Sequence, residues 1–243
     1  MTHIDRREQD LTPLQSETQP VSESLENHHD LPLAPDLVSP EQSEISEVSP
    51  ANQQEILDFW FGPADQLESS YDERRRIWFG KDEAVDQDIR DRFSSIYQQI
   101  VEGNCKDWQT SPEGCLALIL VLDQFTRNMF RGQPQAFETD PQALKITQRA
   151  LALGLDRELA PVQRLFLYLP LEHSENRDHQ QQAVTLFQAL ADEHQEFNDT
   201  YVYALKHQAV IERFGRFPHR NEILGRPSTP EELEFLQQPG SSF

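Results

Sequence analysis

Apolar residues along this chain recur at helical spacing. Val85, Ile89, Phe93, Ile96 and Ile100 follow one another every three or four positions, which sets them on one helix face. Asp82 can cap the start of that helix and Gly103 can end it. Before it, Ser49-Pro50 offers an N-cap followed by proline in the first turn, and the pattern runs through Ile56, Leu57 and Phe59-Trp60-Phe61 to a stop at Gly62-Pro63. A short segment with Tyr71, Ile77, Trp78 and Phe79 comes between. Ser111-Pro112-Glu113 opens a helix that is apolar all round (Leu116-Ala117-Leu118-Ile119-Leu120-Val121-Leu122), which predicts a central position. Periodicity alone also allows a buried strand there. Helix is preferred because the run continues into Asp123-Gln124-Phe125-Thr126-Arg127-Asn128 without a turn signal.

Further helices are predicted from Thr139-Asp140-Pro141 to Gly154, over 162–168 with a stop at Pro170, and over 175–197 with Ser174 as N-cap. Asp199 opens another, closed by Gly215, and Thr229-Pro230-Glu231-Glu232 begins a last short one. No segment alternates with period two between hairpin turns, so no sheet is predicted. The fold class is all-α, a single domain.

Composition changes this picture at the N-terminus. Residues 1–50 hold six of the 16 prolines, no aromatic residue, and eleven acidic residues against two arginines. Such a segment buries too little apolar surface to offset chain entropy. The organisation read from sequence is a disordered acidic tail over 1–49, a helical domain over 50–238 and a flexible C-terminus over 239–243. The tail lacks the apolar run of a secretory signal and the arginine-rich, acid-poor character of a transit peptide. No run approaches the ~20 apolar residues of a membrane span. Cys105 and Cys115 form no C-x-x-C pair, and both read as reduced thiols of a cytoplasmic protein. A net charge of -21 over 243 residues argues against nucleic acid and anionic membranes as partners.

Some pieces resemble tetratricopeptide hairpins. Gln142-Ala143-Leu144 through Arg149-Ala150-Leu151-Ala152-Leu153 is similar to a repeat's second helix, and Phe214-Gly215-Arg216-Phe217 to its turn, without a sustained 34-residue period. Five blocks together carry a more specific resemblance. They are Phe59-Trp60-Phe61-Gly62, the stretch from Leu122-Asp123-Gln124 through Met129-Phe130-Arg131-Gly132, Tyr168-Leu169-Pro170-Leu171-Glu172-His173-Ser174-Glu175, Arg213-Phe214-Gly215-Arg216-Phe217-Pro218-His219-Arg220-Asn221, and Leu224-Gly225-Arg226. Over about residues 52–238 the chain resembles the uncharacterised family catalogued as domain of unknown function 924. That resemblance implies a single tetratricopeptide-like domain of packed helical hairpins with irregular repeats, and brings no activity or catalytic residue with it.

The same blocks concentrate the candidate chemistry. Arg127, Asn128 and Arg131 follow the apolar helix, His173 and Glu175 lie in the middle block, and Arg216, His219 and Arg220 lie near the end. Residues 206–226 carry five Lys/Arg against two Glu, a positive island in an acidic chain. Guanidinium forks suit phosphate or carboxylate. The architectural alternative is that Arg127 and Arg131 bond helix-end carbonyls, that Asp123 and Arg127 form an i, i+4 pair, and that the later arginines pair with Glu172 or Glu175. His173, Glu175 and His179 have poor spacing for a metal on one helix face, and no metal site is assigned. His173 or His219 could serve as a base oriented by Glu172 or Glu175, whereas Ser174, outside any Gly-x-Ser-x-Gly elbow, reads as a cap. No Walker loop or dinucleotide fingerprint occurs, and no cofactor is expected. Trp60, Trp78 and Trp108 read as core. Two functions follow: a module binding a protein or peptide, or a site or enzyme for a small anionic metabolite. They differ in whether the Arg/His blocks meet in one pocket.

Overall fold

A computed structural model describes residues 49–63 and 71–242, which belong to one compact unit. The expectation of a disordered tail falls outside the described residues. Ten helices, with short 3-10 turns between several of them, make up this part, and no strand occurs among the described residues.

The terminal signals explain most boundaries. Helix α1 spans Pro50–Phe61 behind Ser49, α2 Tyr71–Phe79, and α3 Glu83–Val101, where the Asp82 carboxylate accepts the Ala84 N–H at 2.9 Å. Ser111 caps α4, Pro112–Ile119, by accepting from Gly114 N at 3.1 Å. The chain then stays helical but widens to π geometry over Leu120–Phe125 before α5, Thr126–Met129. Helix α6 is Asp140–Leu153, α7 Pro161–Glu172, α8 Arg177–Glu193, α9 Asn198–Phe214 and α10 Pro230–Leu236.

Helix α4 is central. From Gly114 to Ile119 every residue is buried, and it packs on α1, α6 and α7. The aromatic residues of α1 and α7 close around its π continuation. Trp60 meets Phe125 at 5.5 Å and Phe166 at 5.6 Å between ring centres, and Trp78 and Trp108 are buried as well. Helices α6 to α9 each pack on the next. The Cys105 and Cys115 thiols are buried, free and each pushed up to about 11, chiefly by burial, so neither is a nucleophile at neutral pH.

Three sequence expectations are corrected. Pro170 does not stop α7, which runs on to Glu172. Phe166, Tyr168 and Leu171 are fully buried around it, so packing overrides the lost backbone hydrogen bond. Helix α8 starts two residues later than predicted. Its cap is Asn176, whose side chain accepts from Asp178 N and His179 N, and Ser174 is not the cap. The helix also ends at Glu193, with residues to Phe197 forming a 3-10 turn. At the C-terminal end, Ser241 is buried and its hydroxyl donates to Leu236 O at 3.1 Å. Among the described residues no helix is long and apolar enough to cross a membrane.

Candidate functional site

Asp123 lies in the π stretch and is 0% exposed. The wider turn is held by side chains. The Leu122 carbonyl accepts the hydroxyls of Thr126 at 3.1 Å and Thr139 at 2.6 Å, and the Asp123 carbonyl accepts from Arg127. Irregular turns of this kind within helices recur at functional sites. The Asp123 carboxylate takes Gln124 Nε2 at 2.5 Å, an Arg127 nitrogen at 3.1 Å and His173 Nδ1 at 2.8 Å. Burial alone would raise its pKa. The charge of Arg127 and the hydrogen bonds from His173 and Gln124 win, holding it well below the usual carboxylate range.

His173 caps the C-terminus of α7. Burial pushes its imidazole below the ordinary value and outweighs the pull of Asp123, so the ring is neutral at pH 7. An ionised carboxylate only accepts, so Nδ1 carries the proton and Nε2 keeps its lone pair. Among the described residues nothing bonds Nε2. The ring lines an open groove of about 580 Å³, together with Phe137, Asp140, Leu144, Glu175, Arg220 and Leu224.

Opposite charges meet at Asp140, the first residue of α6. It takes both terminal nitrogens of Arg127, at 3.1 and 3.2 Å, and one of Arg220 at 3.4 Å. Arg220 is 7% exposed, with its guanidinium 4.8 Å from the Phe137 ring centre and 4.6 Å from that of Phe217. Its Nε is buried and has no hydrogen-bond partner among the described residues. Burial, then the nearby Arg127 charge, lowers its pKa to about 10 despite Asp140, Glu175 and Asp123. His219 is pushed down to about 3, mainly by burial and next by Arg220. Both shifts come first from burial, and the groove lining itself mixes Arg220 with Glu138, Asp140 and Glu175.

The remaining candidates sit elsewhere. Arg131 grips Asp86 of α3 at 2.6 and 2.7 Å, and Asn128 adds 2.7 Å to the same carboxylate. Arg216 pairs with Glu232 at 2.6 and 2.7 Å. Glu175 reaches the groove but is held by Arg226, at 2.7 and 3.0 Å, and by Phe217 N at 2.7 Å. Glu172, suggested by sequence as an orienter, pairs with His207 at 3.0 Å. Ser174 bonds His179 Nδ1 at 2.8 Å, and His179 Nε2 faces Gln148 Nε2 at 3.0 Å. Among the described residues no group of three His, Cys, Asp or Glu is placed to hold a metal ion.

The groove thus gathers His173, Glu175 and Arg220, with Arg127 behind Asp140, while Asn128, Arg131 and Arg216 close on other carboxylates. Sequence reasoning gave Asp140 only a place at a helix start and Phe137 none, and it noted Asp123 in the polar block and paired it with Arg127 without linking it to His173. Asp123 did carry a signal: a lone carboxylate in an otherwise apolar, wholly buried helix demands partners from elsewhere. Asp140 gave none, because Thr139-Asp140-Pro141 reads equally well as an ordinary helix start.

A solved structure of a protein of unknown function, ATU0120 from Agrobacterium tumefaciens, is 37% identical. It superimposes with a TM-score of 0.68 over 77% of this chain and 97% of that one. No curated protein matches the chain. The model of a family of bacterial proteins of unknown function, DUF924, matches residues 56–240, and the chain belongs to that family.

Proposed function

We propose that the chain is a binding protein whose groove takes a small anionic ligand, a carboxylate or phosphate, with Arg220 as its anchor. One observation carries this reading. Arg220 is a nine-tenths buried guanidinium, clamped between two aromatic rings, and its Nε has no partner among the described residues. Arginine keeps its proton, and burial foremost, with Arg127 next, lowers its pKa despite Asp140, so a buried cation is left incompletely compensated. A bound anion would supply that charge and a bidentate partner. The tetratricopeptide-like succession of α6 to α9 would present the groove, and the reduced thiols fit a cytoplasmic setting.

Thermal melts of the full chain with inorganic phosphate, succinate, citrate and sugar phosphates test the proposal. A ligand at 100 times its Kd adds about 2.7 kcal/mol, a rise of several degrees in Tm for a domain this size. Arg220→Met removes the rise, whereas Arg131→Met keeps it. A flat response across the panel sinks the reading.

A peptide is the second reading, favoured by a neighbouring hollow of about 460 Å³ that shares Gln135 and Glu138 with the groove. A peptide reaching past the Gln135 and Glu138 side chains could contact both. Binding of peptides through a free C-terminal carboxylate, lost on amidation and in Arg220→Met, would favour it over a free metabolite.

A further inference from the structure

His173 does something in the groove that anion binding does not require. An anion is held by donors, yet His173 offers the groove none. Its Nδ1–H is committed to Asp123, and its Nε2 presents a lone pair that repels an anion. Holding it this way takes a fully buried carboxylate and a widened central helix. A ring needed only for packing has no use for that carboxylate, which is costly to bury. A buried acid that orients an imidazole, whose far nitrogen opens on a groove shared with a guanidinium, is the arrangement of a general base beside an oxyanion stabiliser.

We infer that the groove is a hydrolytic site, in which His173 activates water against a small carboxylic ester and Arg220 faces the oxyanion. This rests on the anion site proposed above, since the arginine that would hold a bound carboxylate is the one that meets the tetrahedral intermediate. In the first step, His173 Nε2 takes a proton from a water molecule while the water oxygen bonds to the acyl carbon. The carbonyl π pair moves onto its oxygen, opposite Arg220. That pair then returns, the ester C–O bond breaks, and the departing alkoxide takes the proton from Nε2. Ester and water become acid and alcohol, and His173 ends neutral as it began. Asp123 remains ionised throughout. It is a positioning residue that fixes the tautomer and stabilises the imidazolium between the two steps.

Water is the nucleophile because Ser174 is not activated. The Gln148 amide nitrogen can only donate, so His179 Nε2 accepts and its Nδ1–H points at Ser174 Oγ. His179 therefore has no lone pair left for the serine proton. Phe137, Leu144 and Leu224 give the groove apolar walls, which suit a short acyl chain.

The test uses the full chain with p-nitrophenyl acetate, p-nitrophenyl butyrate and mono-p-nitrophenyl succinate. The expected result is turnover without a burst, with kcat/KM falling about 100-fold or more in His173→Asn, the scale of a lost general base. The control His194→Asn, at the C-terminal cap of α8 and outside the groove lining, leaves the rate unchanged. The wild-type rate climbs with pH through one inflection below the ordinary imidazole value and then stays level. Asp123→Asn moves that inflection, which a merely structural role would not do, and Arg220→Met lowers kcat more than it raises KM. Rates no faster than buffer on all three esters, or equal rates in wild type and a folded His173→Asn, overturn the inference. Should His173→Asn fail to fold, a wild-type profile without that inflection does the same. An anion-induced rise in Tm that survives either result leaves the binding site standing without the catalysis.

Discussion

Asp86 on α3 and Asp123 in the π stretch are both all but inaccessible, and each collects an amide and a guanidinium from the same central segment. Asp86 takes Asn128 and Arg131, and Asp123 takes Gln124 and Arg127. The amide and the arginine are three residues apart in both pairs, so in sequence the block from Gln124 to Arg131 looks like one constellation. In space it serves two carboxylates. The Asp86 cluster closes on itself, tying α3 to α5. The Asp123 cluster has a further partner, His173, whose ring lines a groove and whose outer nitrogen is unbonded among the described residues. Polar density alone therefore does not mark a site. What separates structure from chemistry here is whether the last group in the network still has an atom to offer.

The largest expected effect comes from cutting each network at its aspartate. In Asp123→Ala, Arg127 is left with an Asp140 that it shares with Arg220, and Gln124 and the His173 Nδ1–H lose their acceptor. Arg127 has only 22% of its side chain exposed, so water replaces the lost carboxylate poorly. The loss should be about 3–5 kcal/mol, as for other broken buried pairs, and on the order of 10 °C in Tm. Asp86→Ala should cost less, about 1–3 kcal/mol, because Arg131 is 36% exposed and can rehydrate. Urea denaturation of both variants measures the difference. Equal losses would mean that access to water does not distinguish the two clusters.

A smaller effect separates the same regions by pH. Arg131, with help from Asn128, outweighs burial and lowers the Asp86 pKa, as Arg127 and His173 do for Asp123. Depressed carboxylates contribute stability that is complete above their unfolded value, ~3.9, and lost as pH falls through the folded one. His173 and His219 are depressed as well, by burial foremost, and stay neutral in the fold. The unfolded chain protonates them below ~6.5, so stability falls from that pH downward, by up to about 1.4 kcal/mol per pH unit for each. For His219 the loss continues toward its folded value of about 3. Thermal melts from pH 7 to 4.5 should therefore show a decline that belongs to His173 and His219 and not to Asp86. His219→Gln should flatten part of it. A wild-type Tm constant over that range would show that these rings are not held neutral.

Much of the fold was legible because its signals are local. Asp82, Ser111 and Thr229 cap the helices they were expected to cap, and the five-residue stripe from Val85 to Ile100 marks the buried side of α3. The site was only partly legible because its parts come from three separated segments, at 134–144, 170–175 and 220–224. His173, Glu175 and Arg220 were chosen from their chemistry, but nothing in their spacing says that they share a groove while Arg216 does not. The orienter of His173 was sought in the adjacent Glu172 and Glu175. It came instead from fifty residues upstream, across the packing of α7 on α4. The π turn that carries Asp123 has no sequence signal, since its register is set by Thr139 and Arg127 as much as by its own residues.

The smallest effect concerns the join between the groove and α8, where sequence and structure disagree about the cap. Asn176 accepts two backbone N–H groups, from Asp178 at 2.8 Å and His179 at 3.2 Å. Removing that acceptor in Asn176→Ala should cost about 1 kcal/mol, the usual worth of an N-cap. Ser174→Ala loses only a half-buried hydroxyl bond to His179, worth about 0.5 kcal/mol. The first turn of α8 also holds the groove floor, since Gln180 Nε2 donates to the carbonyls of Glu172 at 2.5 Å and Ser174 at 2.7 Å. Fraying that turn should thus loosen the backbone on either side of His173. Amide hydrogen exchange over 172–180 should rise in Asn176→Ala and stay near wild type in Ser174→Ala. The reverse order would restore Ser174 as the residue that starts the helix and would detach the groove from its cap.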